Sequence, residues 1–217
     1  MPQKMKLIRT YSDIPKNGKL FYLNIYNFHL VLKNIKGSNN YFTFDGVGLL
    51  NISRVITARK IERLAPDLTS YFSIFIPTLS NIIFVGGKPG ESDRISEKYS
   101  KGKTFSIHGF HDDKYIINAL KAKIEPESVV IVGMGSPKQE VLVNELHKTH
   151  PNNLFITCGA FFSQFSASEK YYPNWINSLN LRMPYRLIRE RLYNRLPLYF
   201  INPFRFLLSI INKRIQL

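Results

Sequence analysis

Acidic residues, cysteine and long apolar runs are all scarce in this chain. Its 15 aspartates and glutamates stand against 30 lysines and arginines, so the formal net charge is +15 at pH 7. An excess of this size indicates an anionic partner, whether nucleic acid, membrane surface or phosphorylated substrate. The single cysteine, Cys158, excludes a framework of disulfides and favours a reducing compartment.

Two kinds of apolar segment are missing as well. The first residues contain no apolar core of the kind found in signal peptides, so no such peptide is predicted. The most apolar stretch, Leu196 to Ile211, is interrupted by two prolines and an arginine. Because a helix that crosses a bilayer needs about 20 predominantly apolar residues, we predict that this stretch lies at a membrane surface instead. The 217 residues, 44% of them hydrophobic, suffice for one folded α/β domain with an appendage.

The middle of the chain alternates between strands and helices. Apolar runs rich in β-branched residues predict strands, and longer amphipathic runs predict helices between them. The predicted strands are 81–85, 103–107, 129–132 and 153–157, and the predicted helices are 91–99, 112–123 and 138–148. Before residue 81 we predict an extended lead-in over 1–19, strands at 19–25 and 41–44, and helices at 26–35, 48–58 and 59–75.

This alternation predicts βαβ units with right-handed crossovers. The predicted fold class is therefore α/β, a Rossmann-like parallel sheet flanked by helices, with a basic amphipathic helical appendage at its C-terminal end. We place the α/β domain at residues 1–180 and the basic, aromatic appendage at residues 181–217. Ligands of such sheets bind at the carboxyl ends of the strands, so residues that follow predicted strands are the first candidates for a site.

The stretch from Val129 to Glu140, VVIVGMGSPKQE, has the composition of a strand, a tight turn and a helix start. Its glycines permit the turn, Ser136 is predicted to cap the helix, and Pro137 suits the first helical position. The N-terminus of a helix presents free backbone N–H groups, which attract an anion such as a diphosphate. An ordinary βα turn remains the alternative, because the stretch matches neither the dinucleotide fingerprint nor the P-loop.

Four residues of types that can bind a metal lie close together after the predicted strand 103–107. They are His108, His111, Asp112 and Asp113. Loop residues of these types are more often solvated or capping, so we predict no metal site here. Asp112 is instead the predicted N-cap of the following helix.

Several short motifs resemble, in the same order, those of one family of bacterial enzymes. They are Asp45-Gly46 after a strand, ERLAPDL at 62–68, IIFVGGKPGE at 82–91, IHGF at 107–110 and VGMGSPKQE at 132–140. Together they resemble the WecG/TagA/CpsF glycosyltransferases, which build bacterial surface polysaccharides. The resemblance runs from about residue 24 to residue 195, and residues 158–175 resemble the glycine-phenylalanine loop of that family more weakly.

The resemblance implies an activity. It implies transfer of a sugar, of the N-acetylmannosamine type or another hexose, from a UDP-sugar to a polyprenyl-diphosphate-linked acceptor, with inversion at the anomeric carbon. It also implies a peripheral protein at the cytoplasmic face of the bacterial plasma membrane that uses no metal and no cofactor. The sequence agrees in one respect, since it has no Asp-x-Asp motif of the kind that binds a donor's metal ion.

By the same resemblance, particular residues receive roles. Asp45 is the expected base that takes the proton from the acceptor hydroxyl. The expected substrate-binding residues are Asn24, Gly46, Arg63, Asp67, Gly86, Gly87, Gly109, Gly135, Ser136, Pro137, Lys138, Gln139 and Glu140. Simpler alternatives stay open. Asp-Gly is a common turn, Arg63 and Asp67 suit an i,i+4 ion pair, Gly86-Gly87 suits a structural loop, and the residues after Pro137 suit solvated, capping or core side chains.

Basic and aromatic residues interleave from Arg182 to Leu217. This segment holds eight basic residues against one acid, so it carries nearly half of the excess charge. We expect it to associate with an anionic membrane surface, and the resemblance implies that some of its arginines bind the acceptor's diphosphate. The arginines concerned are Arg186, Arg189, Arg191 and Arg195. The alternative is that residues 196–211 pack as a core helix or form a dimer interface.

Two other functions stay open. Ser163 stands where the family often has Asp, and Tyr171 stands where it has Arg, which favours a catalytically silent scaffold of the polysaccharide machinery. The charge and the aromatic tail favour a nucleic-acid-binding α/β protein, although no recognised binding motif is present. The expected partners are a UDP-sugar, a polyprenyl-diphosphate-linked saccharide and an anionic membrane, without nucleic acid, and a homo-oligomer is left open.

Overall fold

The computed structural model describes residues 4–64, 81–99, 103–167, 172–179 and 181–217. Its centre is an eight-stranded sheet in which every described pair of neighbouring strands runs parallel. The strands are β1 (Met5–Leu7), β2 (Gly18–Leu23), β3 (Asn40–Phe44), β4 (Asn81–Gly86), β5 (Lys103–Ile107), β6 (Val129–Gly133), β7 (Leu154–Thr157) and β8 (Ile215–Gln216). Their order across the sheet is β5-β4-β6-β7-β2-β3-β1-β8.

Helices flank this sheet. They are α1 (Phe28–Asn34), α2 (Val47–Thr57), α3 (Glu91–Tyr99), α4 (Asp113–Lys121), α5 (Lys138–Thr149), α6 (Phe161–Ala167), α7 (Asn174–Ser178), α8 (Arg182–Arg189) and α9 (Leu196–Ile211). Short 3-10 turns lie at Tyr11–Asp13 and Tyr193–Arg195. The predicted fold class is confirmed: the protein is a parallel, Rossmann-like α/β sheet flanked by helices, with a helical segment at its C-terminal end.

Two apolar clusters join the helices to the two faces of the sheet. Successive strand residues alternate between them, because the side chains of a strand point to opposite faces. In β4, Ile83 and Val85 belong to the cluster that includes α1, α4, α5 and α9, whereas Ile82 and Phe84 belong to the cluster that includes α3 and α6. All five residues of β6 are buried. A continuous apolar strand sequence is therefore required here, as in other parallel sheets that are covered on both sides.

The predicted elements are confirmed with bounds that differ by two residues or fewer, with one exception. That exception is the helix predicted over 59–75, which is wrong for residues 59–64. There α2 ends at Thr57, and its C-cap Ala58, with a φ of 49°, turns the chain away. Arg54 Nε donates to the carbonyl oxygen of Ile61 at 3.0 Å. Ile61 and Leu64 are fully buried without a helix, so their three-residue spacing was a misleading signal. The remainder, 65–75, lies outside the described residues.

The predicted lead-in contains a strand. Met5 is fully buried and Leu7 is nearly so, and β1 lies between β3 and β8 in the sheet. Three residues are too few to show a period of two, which explains why the sequence indicated only extended chain. Residues Met5–Leu7 are thus part of the sheet.

Helix α9 has one buried face and one exposed face. Asn202, Phe206 and Ser209, spaced by four and three residues, are buried. Phe206 meets Phe28 and Phe44 edge to face, at 5.8 and 6.1 Å between ring centroids. The core packing that was the alternative for residues 196–211 is therefore present along one face.

Further contacts tie the C-terminal segment to the sheet. Asn202 Nδ2 donates to the carbonyl oxygen of Ile25 at 2.7 Å, next to the end of β2. After α9, the N–H of Met5 donates to the carbonyl oxygen of Arg214 at 3.0 Å, and β8 pairs with β1. Residues 181–217 therefore share the core and the sheet with the rest of the chain, and their separation as a domain stays a prediction. In the described part of the chain, no helix has the length and apolar character that crossing a membrane requires.

Candidate active site

A cavity of about 410 Å³ lies at the carboxyl ends of β2 and β3. Residues after these two strands form one wall, the turn between β7 and α6 forms another, and α8 with the residues on either side of it forms a third. Six predicted site residues line the cavity: Asn24, Asp45, Gly46, Arg63, Arg186 and Arg195. Residues far apart in the sequence thus meet at the edge of the sheet where this fold class binds ligands.

Asn24 and Asp45 lie side by side because each directly follows one of two strands that are paired in register. The Asn24 amide donates from Nδ2 to Asp45 Oδ2 at 3.2 Å. Its other atom, Oδ1, accepts the backbone N–H groups of Tyr26 and Asn27 at 3.0 and 2.9 Å. Since an amide oxygen cannot donate, these two bonds leave only the NH₂ group of Asn24 to face the carboxylate.

Positive groups surround the Asp45 segment. Gly46 is the N-cap of α2 with an extended backbone and no side chain, and the first helical residues Val47 and Gly48 line the cavity beside it. Arg63 Nη2 donates to the Asp45 carbonyl oxygen at 3.4 Å. The N-terminus of a helix and a guanidinium both favour negative charge nearby, so this wall suits an ionised carboxylate or an anionic ligand.

Arginines from α8 and the turn after it place positive charge on the third wall. Arg186 donates to Glu190 from Nε and Nη2 at 2.9 and 3.0 Å. Burial alone would lower the pKa of Arg186, but the Glu190 carboxylate, with a smaller effect from Asp45, holds that pKa above its ordinary value. The Arg195 guanidinium lies over the Tyr26 ring, 4.2 Å from its centroid. Both guanidinium groups are therefore held in position by neighbouring side chains.

Two of the predicted arginines are outside this lining. Arg189 Nη1 donates to the Tyr185 hydroxyl at 3.0 Å, and Arg191 is exposed just after α8. The four arginines thus have different surroundings, and a shared role for all of them stays a prediction.

The wall after β7 contains the sole cysteine. Cys158 is 8% exposed, and burial, with a smaller effect from the Asp45 charge, raises the pKa of its thiol well above the ordinary value. A thiol with a raised pKa is a poor nucleophile, because the thiolate is the reactive form. The geometry therefore indicates a buried, unreactive thiol.

The residues at the start of α5 lie behind the wall after β7 and do not line the cavity. Ser136 Oγ and Gln139 Nε2 both donate to Glu140 Oε1, at 2.8 and 2.9 Å. Gln139 Oε1 accepts the N–H of Gly159, in the turn after β7, at 3.2 Å. The start of α5 therefore contacts the cavity wall through the side-chain amide of Gln139.

One local prediction for this stretch is wrong, and one of the simpler alternatives is excluded. The N-cap of α5 is Pro137 and not Ser136, because the Ser136 hydroxyl bonds the Glu140 carboxylate instead of a backbone N–H. Glu140 is not solvated: it is 0% exposed, and burial raises its pKa against the opposing effect of its hydrogen bonds. Lys138 Nζ lies 3.0 Å from Asp113 Oδ1.

Glycine turns after β4 and β5 lie beside the start of α5. A side chain on Gly86, whose φ is 139°, would bring its Cβ within 2.3 Å of the Gly133 carbonyl oxygen. The Gly109 N–H donates to the Gly87 carbonyl oxygen at 3.0 Å, and Lys138 Nζ donates to the Gly109 carbonyl oxygen at 3.2 Å. Close packing of strand ends accounts for these glycines, and a role for them and for Gly135 in ligand binding stays a prediction. Asp67 lies outside the described residues.

The histidine cluster near β5 is a stacked pair. The rings of His108 and His111 lie 3.8 Å apart, and Asp112 caps α4 as predicted, accepting the N–H of Lys114 at 2.9 Å. Across the described ranges, no three histidine, cysteine or acidic side chains are arranged to hold a metal ion.

Much of the third wall was not predicted from the sequence. Its further lining residues include Tyr172, Leu181, Arg182, Met183, Leu187, Leu192 and Tyr199. The apolar positions Leu187 and Leu192 among arginines were the available signal, but they were assigned to a membrane surface. Ser163, one of the departures, donates to Glu91 Oε2 at 3.0 Å on the outer side of α6, and Tyr171 lies outside the described residues.

Comparison with known proteins gives a family and a number of relatives, of which two are described here. The profile of the "Glycosyl transferase WecG/TagA/CpsF family" matches residues 15–217. The "UDP-Gal:alpha-D-GlcNAc-diphosphoundecaprenol beta-1,4-galactosyltransferase" of Shigella boydii is 25% identical over 200 residues, which are 85% of this chain and 84% of that protein. The "N-acetylglucosaminyldiphosphoundecaprenol N-acetyl-beta-D-mannosaminyltransferase" of Bacillus subtilis (strain 168) is 28% identical over 161 residues, 71% of this chain and 62% of that protein.

Proposed function

The chain belongs to the WecG/TagA/CpsF glycosyltransferase family, and on that premise we propose that it transfers a hexose from a UDP-sugar to a polyprenyl-diphosphate-linked saccharide. The observation that carries the proposal is the cavity in which Asp45, at a strand end, shares its lining with Arg186 and Arg195. A carboxylate that can take a proton and guanidinium groups that can bind a diphosphate are the two chemistries that such an acceptor requires.

Asp45 acts as the general base in this proposal. Asn24 bonds Asp45 Oδ2, and no other described group bonds the second carboxylate oxygen, Oδ1. The acceptor hydroxyl gives its proton to Asp45 as its oxygen forms the new bond to the anomeric carbon of the donor. The bond from that carbon to the UDP oxygen breaks on the opposite face and UDP takes the electron pair, so the configuration inverts.

The acceptor lies in the cavity with its diphosphate toward the third wall. Charged groups that are fixed before the ligand arrives bind it without further ordering, and Glu190 and Tyr26 fix the two guanidinium groups there. The apolar side chains of Leu181 and Met183, which line the same wall and are 37% and 41% exposed, suit the lipid end of the acceptor.

The donor lies along the adjacent strand ends. The start of α5 presents Lys138 and the first N–H groups of the helix beside the glycine turns after β4 and β5, which is a suitable place for a nucleotide diphosphate. In this arrangement the donor's sugar reaches from β6 toward Asp45 across the wall after β7. Departing UDP gains negative charge, which a helix N-terminus and a lysine stabilise.

The names of the two relatives agree on the acceptor and differ on the transferred sugar. The names of both relatives contain N-acetylglucosamine linked to diphosphoundecaprenol, whereas the transferred sugar is galactose in one name and N-acetylmannosamine in the other. We therefore expect N-acetylglucosaminyl-diphosphopolyprenol as acceptor, and the donor is a UDP-hexose of either type.

The exposed face of α9 suits a membrane surface. Phe200, Phe204 and Ile211 are 73%, 69% and 71% exposed, and residues 191–217 contain no acid. Aromatic side chains that insert between headgroups, next to arginines that attract anionic lipids, hold a helix at the interface. A peripheral enzyme at the cytoplasmic face of the plasma membrane is the arrangement that brings the cavity to a lipid-linked acceptor.

The experiment that tests this function presents the purified chain with N-acetylglucosaminyl-diphosphate on a short lipid and with UDP-galactose, UDP-N-acetylmannosamine, UDP-glucose and UDP-N-acetylglucosamine in turn. We expect one donor to give a disaccharide lipid whose new linkage is inverted relative to the donor. Chelator is included in a parallel series, in which the rate is expected to be unchanged. Binding of UDP without transfer from any donor would instead favour the silent scaffold.

A further inference from the structure

Gln139 and Glu140 form a buried polar pair outside the catalytic cavity. Their side chains are 1% and 0% exposed. Glu140 Oε1 accepts two hydrogen bonds, from Ser136 Oγ and Gln139 Nε2, while no group in the described part of the chain bonds Glu140 Oε2. Burial of a carboxyl group is destabilising unless hydrogen bonds compensate for the lost water. Here only one of the two oxygens is bonded within the described ranges, so this pair needs an explanation.

The contacts of the pair fix the direction of one amide. Glu140 Oε1 is an acceptor, so Gln139 must turn its NH₂ group toward Glu140. The Gln139 oxygen then points to the other side, where it accepts the Gly159 N–H at 3.2 Å. With an apolar residue at position 140, the Gln139 NH₂ group would lose this acceptor and keep only the longer bond to Ser136 Oγ at 3.4 Å.

The bond to Gly159 acts on the cavity wall. Cys158 and Ala160, on either side of Gly159, both line the cavity, and Gly159 has a φ of 59°. On either side of Gly159, backbone bonds join the Cys158 N–H to the Val132 carbonyl oxygen at 2.8 Å and the Phe161 N–H to the Cys158 carbonyl oxygen at 3.3 Å. The Gly159 N–H itself has its partner in the neighbouring strand-helix unit, where Gln139 accepts it.

We infer that Glu140 is a positioning residue: it orients Gln139, and Gln139 holds the turn Cys158–Ala160 in the shape that forms the cavity wall. The pair thus acts on the substrate site through the protein backbone, without touching substrate. This role is independent of which sugar the enzyme transfers.

Cys158 provides a direct probe of this turn. It is the sole cysteine and is 8% exposed, so its reaction with an aromatic disulfide reagent under native conditions reports opening of the turn. Glu140→Leu removes the acceptor for Gln139, and Gln139→Met removes the acceptor for the Gly159 N–H in a side chain of the same length. We expect each variant to react about tenfold faster than the native protein, because one buried hydrogen bond that held the turn closed is lost.

Two control variants separate positioning from general destabilisation. Glu145→Leu makes the same change on the partly exposed side of α5, where Glu145 pairs with Lys148, and the reaction rate should stay native. Glu140→Gln keeps an oxygen that accepts from Gln139, and it should restore a rate close to native. The rates are compared in low urea, since local opening is insensitive to denaturant whereas global unfolding is not.

The proposal is overturned if folded Glu140→Leu or Gln139→Met reacts as slowly as the native protein, or if Glu140→Gln reacts as fast as Glu140→Leu. Should Glu140→Leu fail to fold, Gln139→Met decides alone. An enzymatic comparison rests additionally on the proposed function: the variants should raise KM for the lipid acceptor more than they lower kcat. The labelling uses no substrate, so failure to find sugar transfer leaves its result intact.

Discussion

At the scale of single residues, Asn24 shows how backbone hydrogen bonds set the environment of a candidate base. Its oxygen is occupied by two N–H groups of the turn that follows, so its NH₂ group must face Asp45. A base that is held by one oxygen keeps the other for the proton. The expected chemistry thus depends on an asparagine that carries no charge itself.

Replacing Asp45 with Asn removes the proton acceptor and keeps the size of the side chain. We expect the Asp45→Asn variant to transfer sugar about 10²–10⁴-fold more slowly than the native enzyme, since loss of a general base typically has that effect. UDP affinity, measured by calorimetry, should change little. Asp93→Asn, an exposed position on α3, serves as the matched control with native rate. A near-native rate in Asp45→Asn would remove Asp45 from the mechanism.

Lys19 is a buried cation at the opposite end of β2. It is 2% exposed, and its Nζ donates to the carbonyl oxygen of Lys36 and to Asn144 Oδ1. Burial lowers the pKa of Lys19 from 10.5 to about 8. Between these two values the unfolded chain binds a proton that the folded chain has released, so this group makes the folded state more stable as pH rises.

The pH dependence of unfolding tests this account of Lys19. From pH 8 to pH 10 the unfolding free energy of the native protein should rise relative to that of Lys19→Met, by an amount on the order of 2 kcal/mol. Urea denaturation at a series of pH values gives both curves, and their difference cancels the other titrating groups. Parallel curves would mean that Lys19 has an ordinary pKa in the folded state.

At the scale of elements, α9 carries two phenylalanines with opposite surroundings. Phe206 is fully buried against α1 and β3, whereas Phe204 is 69% exposed. Phe206→Ala should lower the free energy of unfolding by about 3–5 kcal/mol. Phe204→Ala should change it by no more than about 0.5 kcal/mol.

Vesicle binding completes the comparison of the two phenylalanines. If the exposed face of α9 inserts into the interface, Phe204→Ala should weaken binding to anionic vesicles about tenfold or more, because insertion of a large apolar side chain contributes about 1.5–3 kcal/mol. Cosedimentation at physiological salt measures this. Native vesicle affinity in Phe204→Ala combined with Phe200→Ala would argue against the membrane proposal.

The sequence predicted elements and strand ends well for a physical reason. Continuous apolar strands such as β6 and the residues that follow them are local features, and parallel strands bring their carboxyl ends to one edge without further information. Asp45 and Asn24 follow such strands, although their expected roles came from the family resemblance. The third wall was not predicted, because its position depends on contacts such as that of Asn202 with Ile25, which lie 177 residues apart. The burial of Glu140 was not predicted either, since it has no local signature in the sequence.

At the scale of the whole molecule, the C-terminal segment is both part of the core and part of the cavity. A chain that ends at residue 180 lacks the buried face of α9, the strand β8 and the third wall. Since Phe206 alone is expected to contribute about 3–5 kcal/mol of a total that is typically about 5–15 kcal/mol, we expect this truncated chain to lose its cooperative thermal transition. A chain that ends at residue 212 keeps α9 and should fold with a lower Tm.

Circular dichroism with heating separates these chains. Cooperative melting of the chain that ends at residue 180, at a temperature close to that of the full chain, would show that residues 181–217 are a separate unit. It would then support the domain division that the sequence predicts.

The packing of Phe206 on Phe28 and Phe44 also has a meaning for biosynthesis. About 160 residues separate Phe44 from the helix that covers it, and a ribosome adds roughly 5–20 residues per second, so this part of the core stays open for roughly 10–30 seconds in every newly made molecule. During that interval the nascent chain exposes aromatic surface that chaperones recognise. Yield in a cell should therefore depend on the rate of translation and on chaperone supply, even for variants whose finished structure is fully stable.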